Sequence, residues 1–261
     1  MGLSFITRLR KSLLIKMKVG IFSFTSCAGC QIRILDLEDK LLDIMKAVDI
    51  IHFPLIKEKN KEGPFDMAFV EGAVTTPEHE TELKRIRKIT KFLVSLGTCA
   101  TYGGIPSMKN FFDERLIEKI VYIHPGFVKS EKALGIDNFV KVDYYLYGCP
   151  INKDEFLRLI SDLINGKIPR EATYPVCVEC RMKENVCLFS KGLLCFGPIS
   201  HGGCGAVCPT NKMSCFCCRG FLDDANIDVE IHLLEQKGIK FDEIKRNLQK
   251  FQANEYSRIE G

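Results

Sequence analysis

Short apolar runs alternate with longer amphipathic segments along the first two thirds of the chain, and this alternation predicts its fold. The runs KVGIFSF, VDIIHF, DMAFVEG, KFLVSLGT, IVYIHP and VDYYLYG are rich in β-branched and aromatic residues, as buried strands are. The segments QIRILDLEDKLLDIMKAV, PEHETELKRIRKI and KDEFLRLISDLING have helical periodicity, with Pro77 suited to a first turn and Asn165-Gly166 to a helix end. Strands that alternate with helices predict an α/β domain, with a parallel sheet covered on both faces.

The pattern changes after Pro169. Nine cysteines lie from Cys177 to Cys218 among glycines and prolines, with too few apolar residues for an ordinary core, so metal must hold this segment together. Beyond it, NIDVEIHLLEQKGIKFDEIKRNLQKF predicts two amphipathic helices broken at Gly238, which we expect to lie outside both cysteine-bearing domains. The predicted parts are a basic N-terminal extension (1–16), an α/β domain (17–168), a cysteine-rich domain (169–222) and a helical tail (223–261).

Composition narrows the class of protein. A hydrophobic content of 46% with 27% charged residues is ordinary for a globular chain, and no apolar stretch reaches the roughly 18 residues that a membrane-spanning helix needs. The basic N-terminus lacks an apolar segment with a cleavage site, and Arg8 and Arg10 are not a twin-arginine pair. We therefore expect a cytoplasmic chain without an integral membrane segment. There its thirteen cysteines would stay free to bind metal, and a net charge of +4 does not favour nucleic-acid binding.

Four cysteines of the α/β domain follow predicted strands. Cys27 and Cys30 come after the first strand, Cys99 follows KFLVSLGT, and Cys149 follows VDYYLYG. The carboxyl ends of parallel strands share one edge, where ligands bind, so we expect these thiols to meet. Four thiolates hold an iron–sulfur cluster or a zinc ion. A thioredoxin-type CxxC would also begin a helix as CAGC does, but it would not need the other two cysteines.

Glycines and one carboxylate accompany these thiols. Glu71 follows DMAFV at the same edge; it could assist proton movement or hydrogen-bond near the cluster, or it could cap a helix N-terminus. The glycines would let backbone N–H groups approach the sulfur atoms, although strand ends also favour glycine. They are Gly29, Gly97, Gly103, Gly104 and Gly148.

The cysteine-rich segment has ligands for two further clusters. A zinc ribbon has two CxxC pairs with one spacer, whereas here four other cysteines separate Cys177-Cys180 from Cys215-Cys218. The C-x₃-C-P pattern ending at Pro209 is typical of ferredoxins. Without Cys217, eight cysteines suit two [4Fe–4S] clusters, and three clusters in one chain would relay electrons. We then expect Cys217 to be a buried free thiol that binds no metal. We expect His201 to donate a hydrogen bond from outside the set of cluster ligands.

With these motifs in place, the chain resembles the small, electron-transfer subunit of nickel–iron hydrogenases over residues from about 17 to 220. The cytoplasmic group is the most similar, with sulfhydrogenase and the methanogen enzymes linked to coenzyme F420 or heterodisulfide reductase. The motifs that carry the resemblance are SCAGCQ, VEGAV, GTCATYGGIP, YGCP, CVEC, CFGP, GGCGAVCP and CFCCRG.

The resemblance implies a flavodoxin-like first domain and three [4Fe–4S] clusters. The proximal cluster would face the nickel–iron centre of a separate large subunit, and electrons would pass to an acceptor subunit of the flavin NAD(P)H, F420 or heterodisulfide reductase type. Family members usually have glycine where this chain has Cys217. The implied ligands are Cys27, Cys30, Cys99 and Cys149 (proximal), Cys204, Cys208, Cys215 and Cys218 (medial), and Cys177, Cys180, Cys187 and Cys195 (distal).

Two rival functions share some of these features. A complex-I-type quinone reductase small subunit would have the first domain, but it normally has adjacent cysteines in place of CAGC and lacks the second domain. A zinc-stabilised binding module would keep the cysteines without a redox role. For the hydrogenase subunit, we expect residues 105–108 and Phe111-Phe112 to contact the large subunit, with core packing as the alternative for the two phenylalanines.

Overall fold

The computed structural model describes residues 16–124 and 130–259, without the side chains of 256–259, so almost all of the predicted N-terminal extension lies outside it. Its centre is a five-stranded parallel sheet in the order β2-β1-β3-β4-β5. This is the flavodoxin-like order. Its topological switch point lies between β1 and β3, because β2 is added on one side of β1 and the later strands are added on the other. The predicted fold class is confirmed. The strands are β1 (Met17–Ser23), β2 (Val48–His52), β3 (Phe65–Glu71), β4 (Thr90–Leu96) and β5 (Tyr144–Leu146).

Helices and short 3₁₀ turns connect and cover the strands. In the α/β domain the helices are α1 (Gly29–Leu35), α2 (Asp39–Ala47), α3 (Pro77–Lys88), α4 (Thr98–Tyr102), α5 (Glu114–Val121) and α6 (Lys153–Ile164), with 3₁₀ turns at Ile105–Phe111 and Ile136–Asn138. Beyond it lie α7 (Val176–Met182), a 3₁₀ turn at Phe189–Lys191, α8 (Val207–Thr210), α9 (Ile227–Gln236) and α10 (Phe241–Ile259).

Two predictions of secondary structure are wrong in detail. The long helix expected after the first strand is divided into α1 and α2, because Glu38 adopts a φ of 51° between them. The expected strand IVYIHP is not formed by its described residues: Ile120 and Val121 end helix α5, with Ile120 74% exposed, and Ile123 beyond the helix is 92% exposed. That run is apolar but lies on the surface, and an apolar pattern alone cannot separate a buried strand from an exposed helix face.

The core of the first domain has one apolar layer on each face of the sheet. Leu159 and Leu163 of α6 pack on one face, and Leu83 and Ile86 of α3 pack on the other. Truncating a side chain buried this completely typically costs about 2–5 kcal/mol. Thr76 caps α3 by accepting a hydrogen bond from the N–H of His79, which fixes where that helix begins. The two layers hold the sheet rigid and so hold the loops at its carboxyl edge in place.

The helical tail packs against both cysteine-bearing parts of the chain, which corrects the expectation that it would lie outside them. Leu234 of α9 and Leu248 of α10 share a buried cluster with Phe196 and Cys217. The cysteine-rich segment has too few apolar residues for its own core, and the tail supplies the missing ones. The two helices and the break at Gly238, where φ is 84°, are as the sequence predicts.

Helix α10 also forms hydrogen bonds to both parts. It is kinked at Gln252, whose side-chain Nε2 donates to the carbonyl oxygen of Cys217 at 3.1 Å. The Asn254 amide donates to the carbonyl oxygens of Tyr102 at 2.9 Å and Ala133 at 3.0 Å. Among the helices that the structure describes, none has both the length and the apolar composition needed to cross a membrane.

Candidate metal centres

Four thiols of the α/β domain lie at the carboxyl edge of the sheet. Cys27 and Cys149 lie in the loops after β1 and β5, and Cys30 and Cys99 lie in the first turns of the helices α1 and α4 that follow β1 and β4. Burial, followed by the Cys149 thiol and more weakly by Cys27, raises the pKa of Cys99 to about 12. Burial also raises the pKa of Cys30, and Cys99 contributes weakly to that shift. A bound metal ion strongly lowers the pKa of a coordinating thiol. Even thiols with raised pKa values therefore release their protons and bind the metal as thiolates.

Two glycines leave room at these sulfur atoms. A Cβ atom on Gly97 would lie 2.4 Å from the Sγ of Cys30, and one on Gly104 would lie 2.9 Å from the Sγ of Cys99. Both glycines also have positive φ, 83° and 52°. Any side chain at either position would therefore collide with a thiol, so the backbone here is shaped around sulfur.

The other three predicted glycines differ from one another, and a Cβ atom on Gly103 would meet Asn254 and Ala133 rather than a sulfur atom. A Cβ atom on Gly29 would lie 3.1 Å from the Sγ of Cys27, a tight contact with sulfur. On Gly148, where φ is 129°, it would lie 2.7 Å from the carbonyl oxygen of Pro150. Gly148 is thus required by the turn that carries Cys149 rather than by the approach of backbone to a thiol.

Glu71 lies beneath the first of these loops. It is 2% exposed; its Oε1 accepts a hydrogen bond from the backbone N–H of Cys30 at 2.9 Å, and its Oε2 accepts one from the Gln31 amide at 2.8 Å. These bonds fix the first turn of α1, which contains Cys30. Glu71 thus caps the N-terminus of a helix, one of the alternatives that the sequence left open. A part in proton movement remains a prediction.

A second set of thiols gathers in the cysteine-rich segment. Burial, and then the thiols of Cys195, Cys180 and Cys187 in that order, raise the pKa of Cys177 to about 12. A Cβ atom on Gly197 would lie 3.1 Å from the Sγ of Cys177 and 3.7 Å from that of Cys195. As in the first set, a glycine without a side chain leaves room beside the sulfur atoms, here those of Cys177 and Cys195.

His201 makes its contacts away from these thiols. Its Nδ1 lies 3.2 Å from the carbonyl oxygen of Ala172, and its ring stacks on Tyr147 with the centroids 4.7 Å apart. Tyr147 in turn stacks on Tyr102 at 6.0 Å. These contacts place the imidazole in an aromatic stack between the two domains. Its predicted role as a hydrogen-bond donor to a cluster stays a prediction.

The third set lines a cavity of about 410 Å³ between the two domains. The cavity walls include Cys149 of the first set and apolar groups such as Pro209 and Phe216. The thiol-bearing residues of the third set on its walls are Cys204, Cys208, Cys215 and Cys218. A largely apolar cavity lined by thiols suits a buried iron–sulfur cluster, because the surroundings exclude water while the thiolates bind iron.

Cys217 lies outside this cavity, although it is adjacent in sequence to Cys218. It is fully buried in the apolar cluster that contains Phe196, Ile199 and Leu248. Its φ of 57° is one that favours glycine. The assignment of Cys218 as a ligand and of Cys217 as a residue that binds no metal stays a prediction.

The third set lies between the other two. Burial raises the pKa of Cys218 to about 11, the backbone N–H of Cys149 donates to its sulfur and opposes that rise, and the Cys149 thiol is also a neighbour. On the other side, the Cys195 thiol contributes to the raised pKa of Cys208, after burial and Cys204. The third set therefore neighbours thiols of both other sets.

A buried arginine joins the two domains next to the third set. Arg219 is 2% exposed and binds both carboxylate oxygens of Glu155 on α6, each at 2.8 Å. Its remaining bonds go to carbonyl oxygens: Tyr147 at 2.8 Å, Gly202 at 2.7 Å and His201 at 3.1 Å. In addition, the Thr98 hydroxyl donates to the carbonyl oxygen of Cys218. The sequence contains no signal for this junction, since its partners lie far apart along the chain.

Glu179, within the CVEC motif, is a second residue that the sequence analysis missed. Its carboxylate accepts backbone hydrogen bonds from Gly203 at 2.9 Å, Gly205 at 2.9 Å and Ala206 at 3.2 Å. The carboxylate thereby fixes the loop that carries Cys204. The acidic residue between two cysteines was visible in the sequence, but its distance from the GGCGA loop was not.

A buried carboxyl of helix α9 leads to a prediction about pH. Glu230 is 4% exposed, and no group in the described part of the chain hydrogen-bonds its Oε1 atom. Burial raises its pKa from 4.5 to about 7. The folded chain thus retains this proton up to about pH 7, whereas the unfolded chain releases it near pH 4.5. The free energy of unfolding therefore falls as the pH rises through that window and levels off above it.

We expect Glu230→Gln, which is neutral at every pH, to remove this loss. The variant should be more stable than the parent by about 1–3 kcal/mol at pH 8 and nearly equal to it below about pH 5. Thermal midpoints of the purified protein at both pH values measure the difference. The matched control is Glu235→Gln, an exposed position on the same helix. A shift of equal size at both pH values would contradict the prediction.

Known proteins are similar to this chain in both sequence and structure. The family described as NADH ubiquinone oxidoreductase, 20 kDa subunit, matches residues 27–163. Sulfhydrogenase 2 subunit delta of Pyrococcus furiosus is 34% identical over 236 residues, which cover 90% of this chain and 99% of that protein. A subunit of the F420-non-reducing hydrogenase vhu from Methanocaldococcus jannaschii is 35% identical over 239 residues, 79% of this chain and 83% of that protein.

Among solved structures, a chain of the NAD⁺-reducing [NiFe]-hydrogenase in its H₂-reduced state is similar to this one. The TM-score is 0.55 with 28% sequence identity, covering 60% of this chain and 95% of the other. The similar sequences and the similar solved structure are all hydrogenase proteins.

Proposed function

We infer the function of this chain from its family: the chain belongs to the NADH ubiquinone oxidoreductase 20 kDa subunit family, and its relatives within it are hydrogenase small and delta subunits. It is an electron-transfer subunit of a hydrogenase, an oxidoreductase that acts on H₂. It binds iron–sulfur clusters and pairs with a large nickel–iron subunit. Electrons released from H₂, or used to form it, pass through this chain.

The similarity to the sulfhydrogenase delta subunit is the main support for this function, because the aligned region extends beyond the first domain. The family match ends at residue 163, which a quinone reductase small subunit would also give. The delta subunit aligns with 90% of the chain, and so includes most of the cysteine-rich segment. That segment is what distinguishes the hydrogenase subunit from its quinone-reducing rival.

We propose three [4Fe–4S] clusters, one for each set of thiols. Bound clusters supply one-electron transfer at potentials set by ligands, hydrogen bonds and exposure to solvent. The chain's own residues hold and shield these sites. The thiolates provide the ligands, Gly97, Gly104 and Gly197 leave room for them, and Glu71 and Glu179 fix the loops that bear Cys30 and Cys204. The N–H of Cys149 beside Cys218 brings the proximal and medial sets together.

The surface for the large subunit is proposed to adjoin the proximal set. The backbone N–H of Ile105 donates to the Cys99 sulfur, and the Ile105 side chain is 45% exposed. Phe111 and Phe112 are 39% and 63% exposed, so the core-packing alternative does not describe them. An apolar surface of this kind suits a permanent interface with another subunit. For the acceptor subunit, the flavin NAD(P)H, F420 and heterodisulfide reductase types all stay open.

Metal analysis of the complex purified without oxygen tests the proposal. Three clusters of four irons predict about twelve irons per chain, with matching acid-labile sulfide. The brown colour with absorbance near about 400 nm should accompany the iron, because thiolate-bound clusters absorb there and zinc does not. Mainly zinc, or about eight irons, would contradict the assignment of three clusters.

A further inference from the structure

The third set of thiols shares its cavity with a buried positive charge. Arg219 lines the cavity together with the four cysteines of that set, and it follows Cys218 directly in the chain. Burial raises the pKa of the Cys204 thiol, and the Arg219 charge opposes that rise. Because Arg219 is 2% exposed, water does not surround the guanidinium group and weaken its field. A group bound by these thiols would therefore lie close to an unscreened cation.

A carboxylate compensates this cation from the other side. Glu155 of α6 accepts two hydrogen bonds of 2.8 Å from Arg219. Whereas the arginine lines the cavity of the third set, the carboxylate lines a separate groove of about 1090 Å³ that also contains Arg158 and Arg170. The ion pair thus has an orientation, with its positive end towards the thiols and its negative end away from them.

The loop that carries Cys204 leaves room for this ion pair. A Cβ atom on Gly203, the residue before Cys204, would lie 2.6 Å from the Nη2 atom of Arg219 and still closer to the Glu155 carboxylate. The φ of Gly203 is 103°, which favours glycine as well. Both halves of the pair therefore contact the backbone directly beside a thiol of the third set.

Other basic groups near the third set are less buried. Arg33 also lines the cavity, but its side chain is 37% exposed and pairs with Asp36 at 2.8 Å. Lys183 is exposed and donates to the carbonyl oxygen of Gly205. Water screens exposed charges of this kind, so their effect on the thiols is weaker. Arg219 is the basic residue whose charge the cavity feels most strongly.

We propose that Arg219 and Glu155 together set the reduction potential of the cluster held by the third set, with the arginine raising it and the glutamate lowering it. The proposal rests on the clusters proposed above and gives a role to two residues that do not bind them. Reduction brings one electron, released from H₂ at the large subunit, to a site that four thiolates already make negative, and it exchanges no covalent bond and no proton. The buried cation stabilises the added negative charge, and the carboxylate offsets part of that effect.

The experiment is a redox titration of the whole hydrogenase complex, followed by the electron-spin signals of the reduced protein. The signal of the third set is the one that Cys218→Ser removes or alters. Glu155→Gln keeps the arginine and the shape of its partner but removes the negative charge. It should favour the reduced form by about tenfold, which is a rise of about 59 mV for one electron. The titration is run at about pH 8 to keep Glu155 ionised, because burial raises its pKa, although the Arg219 charge opposes that rise.

Two further variants separate the effect of charge from that of packing. Arg219→Met should shift the equilibrium by a similar factor in the opposite direction, and the double variant Arg219→Met with Glu155→Gln should lie closer to the parent than either single variant. Loosened packing would instead shift both single variants in the same direction, because it admits water to the site in each. If Arg219→Met does not fold, the other two variants still distinguish charge from packing.

The matched control is Asp154→Asn, which removes a carboxylate from the exposed position next to Glu155 on α6. It should change the reduction equilibrium by less than about twofold, since water screens that charge. A potential of Glu155→Gln that falls, or that stays within the range of the control, would overturn the role of the pair, as would a double variant displaced as far as the single ones. A parent complex with no signal that depends on Cys218 would instead contradict the cluster assigned to the third set, and the role of the pair would fail with it.

Discussion

We expect Cys218→Ser to remove the cluster of the third set and Cys217→Gly to leave it intact. Cys218 lines the central cavity with three other thiols, whereas Cys217 lies in the apolar cluster beneath helix α10. Losing one thiolate from a set of four destroys a [4Fe–4S] cluster or converts it to a form with fewer irons. About four of the twelve irons, and one of three electron-spin signals of the reduced protein, should therefore be lost or altered.

The companion variant at Cys217 should be close to neutral. Glycine relieves a positive φ of 57°, worth about 1 kcal/mol, while loss of the buried thiol costs about as much. All three electron-spin signals and the full iron content should remain. If Cys217→Gly removed the signal and Cys218→Ser preserved it, the ligand would have to be reassigned to Cys217.

Arg219→Met should produce the largest loss of stability among single substitutions at the domain junction. The arginine is buried and binds Glu155 through two hydrogen bonds of 2.8 Å, so its removal leaves a buried carboxylate and several carbonyl groups without their partner. Breaking a buried pair in this way costs about 3–5 kcal/mol. For a chain of this size, that loss lowers the thermal midpoint by about 10 °C.

Scanning calorimetry of the complex, together with the temperature at which absorbance of the clusters is lost, measures the effect. The double variant Arg219→Met with Glu155→Gln should be less damaging than Arg219→Met alone, because it leaves no unpaired charge. The matched control is Arg246→Met, an exposed position on helix α10, which should change stability by less than about 0.5 kcal/mol. A double variant as unstable as the single one would show that the ion pair is not what joins the domains.

The convergence of the first four cysteines could be predicted because topology alone decides it. Parallel strands place their carboxyl ends on one edge, so the positions of Cys27, Cys99 and Cys149 just after strands were sufficient. The same reasoning placed Glu71 there, but not its hydrogen bonds to Cys30 and Gln31. Which atoms a side chain contacts depends on rotamers and loop shape, and these have no simple pattern along the sequence.

The tail and the junction could not be predicted for a different reason. The pattern from Ile227 onward gives two amphipathic helices but does not say which surface their apolar faces cover. Arg219 follows the CFCC motif, and only the folded chain brings Glu155 to it. Long-range pairings of this kind reflect the packing of whole elements, which neither periodicity nor composition encodes.

The position of helix α10 has a consequence for how the protein is made. Translation produces every cysteine before this helix, yet the helix packs over Cys217 and bonds to Tyr102 in the first domain. Domains fold in order of synthesis, so the loop that bears the third set is complete before its cover arrives. The apolar cluster around Cys217 is therefore completed only after helix α10 has been synthesised.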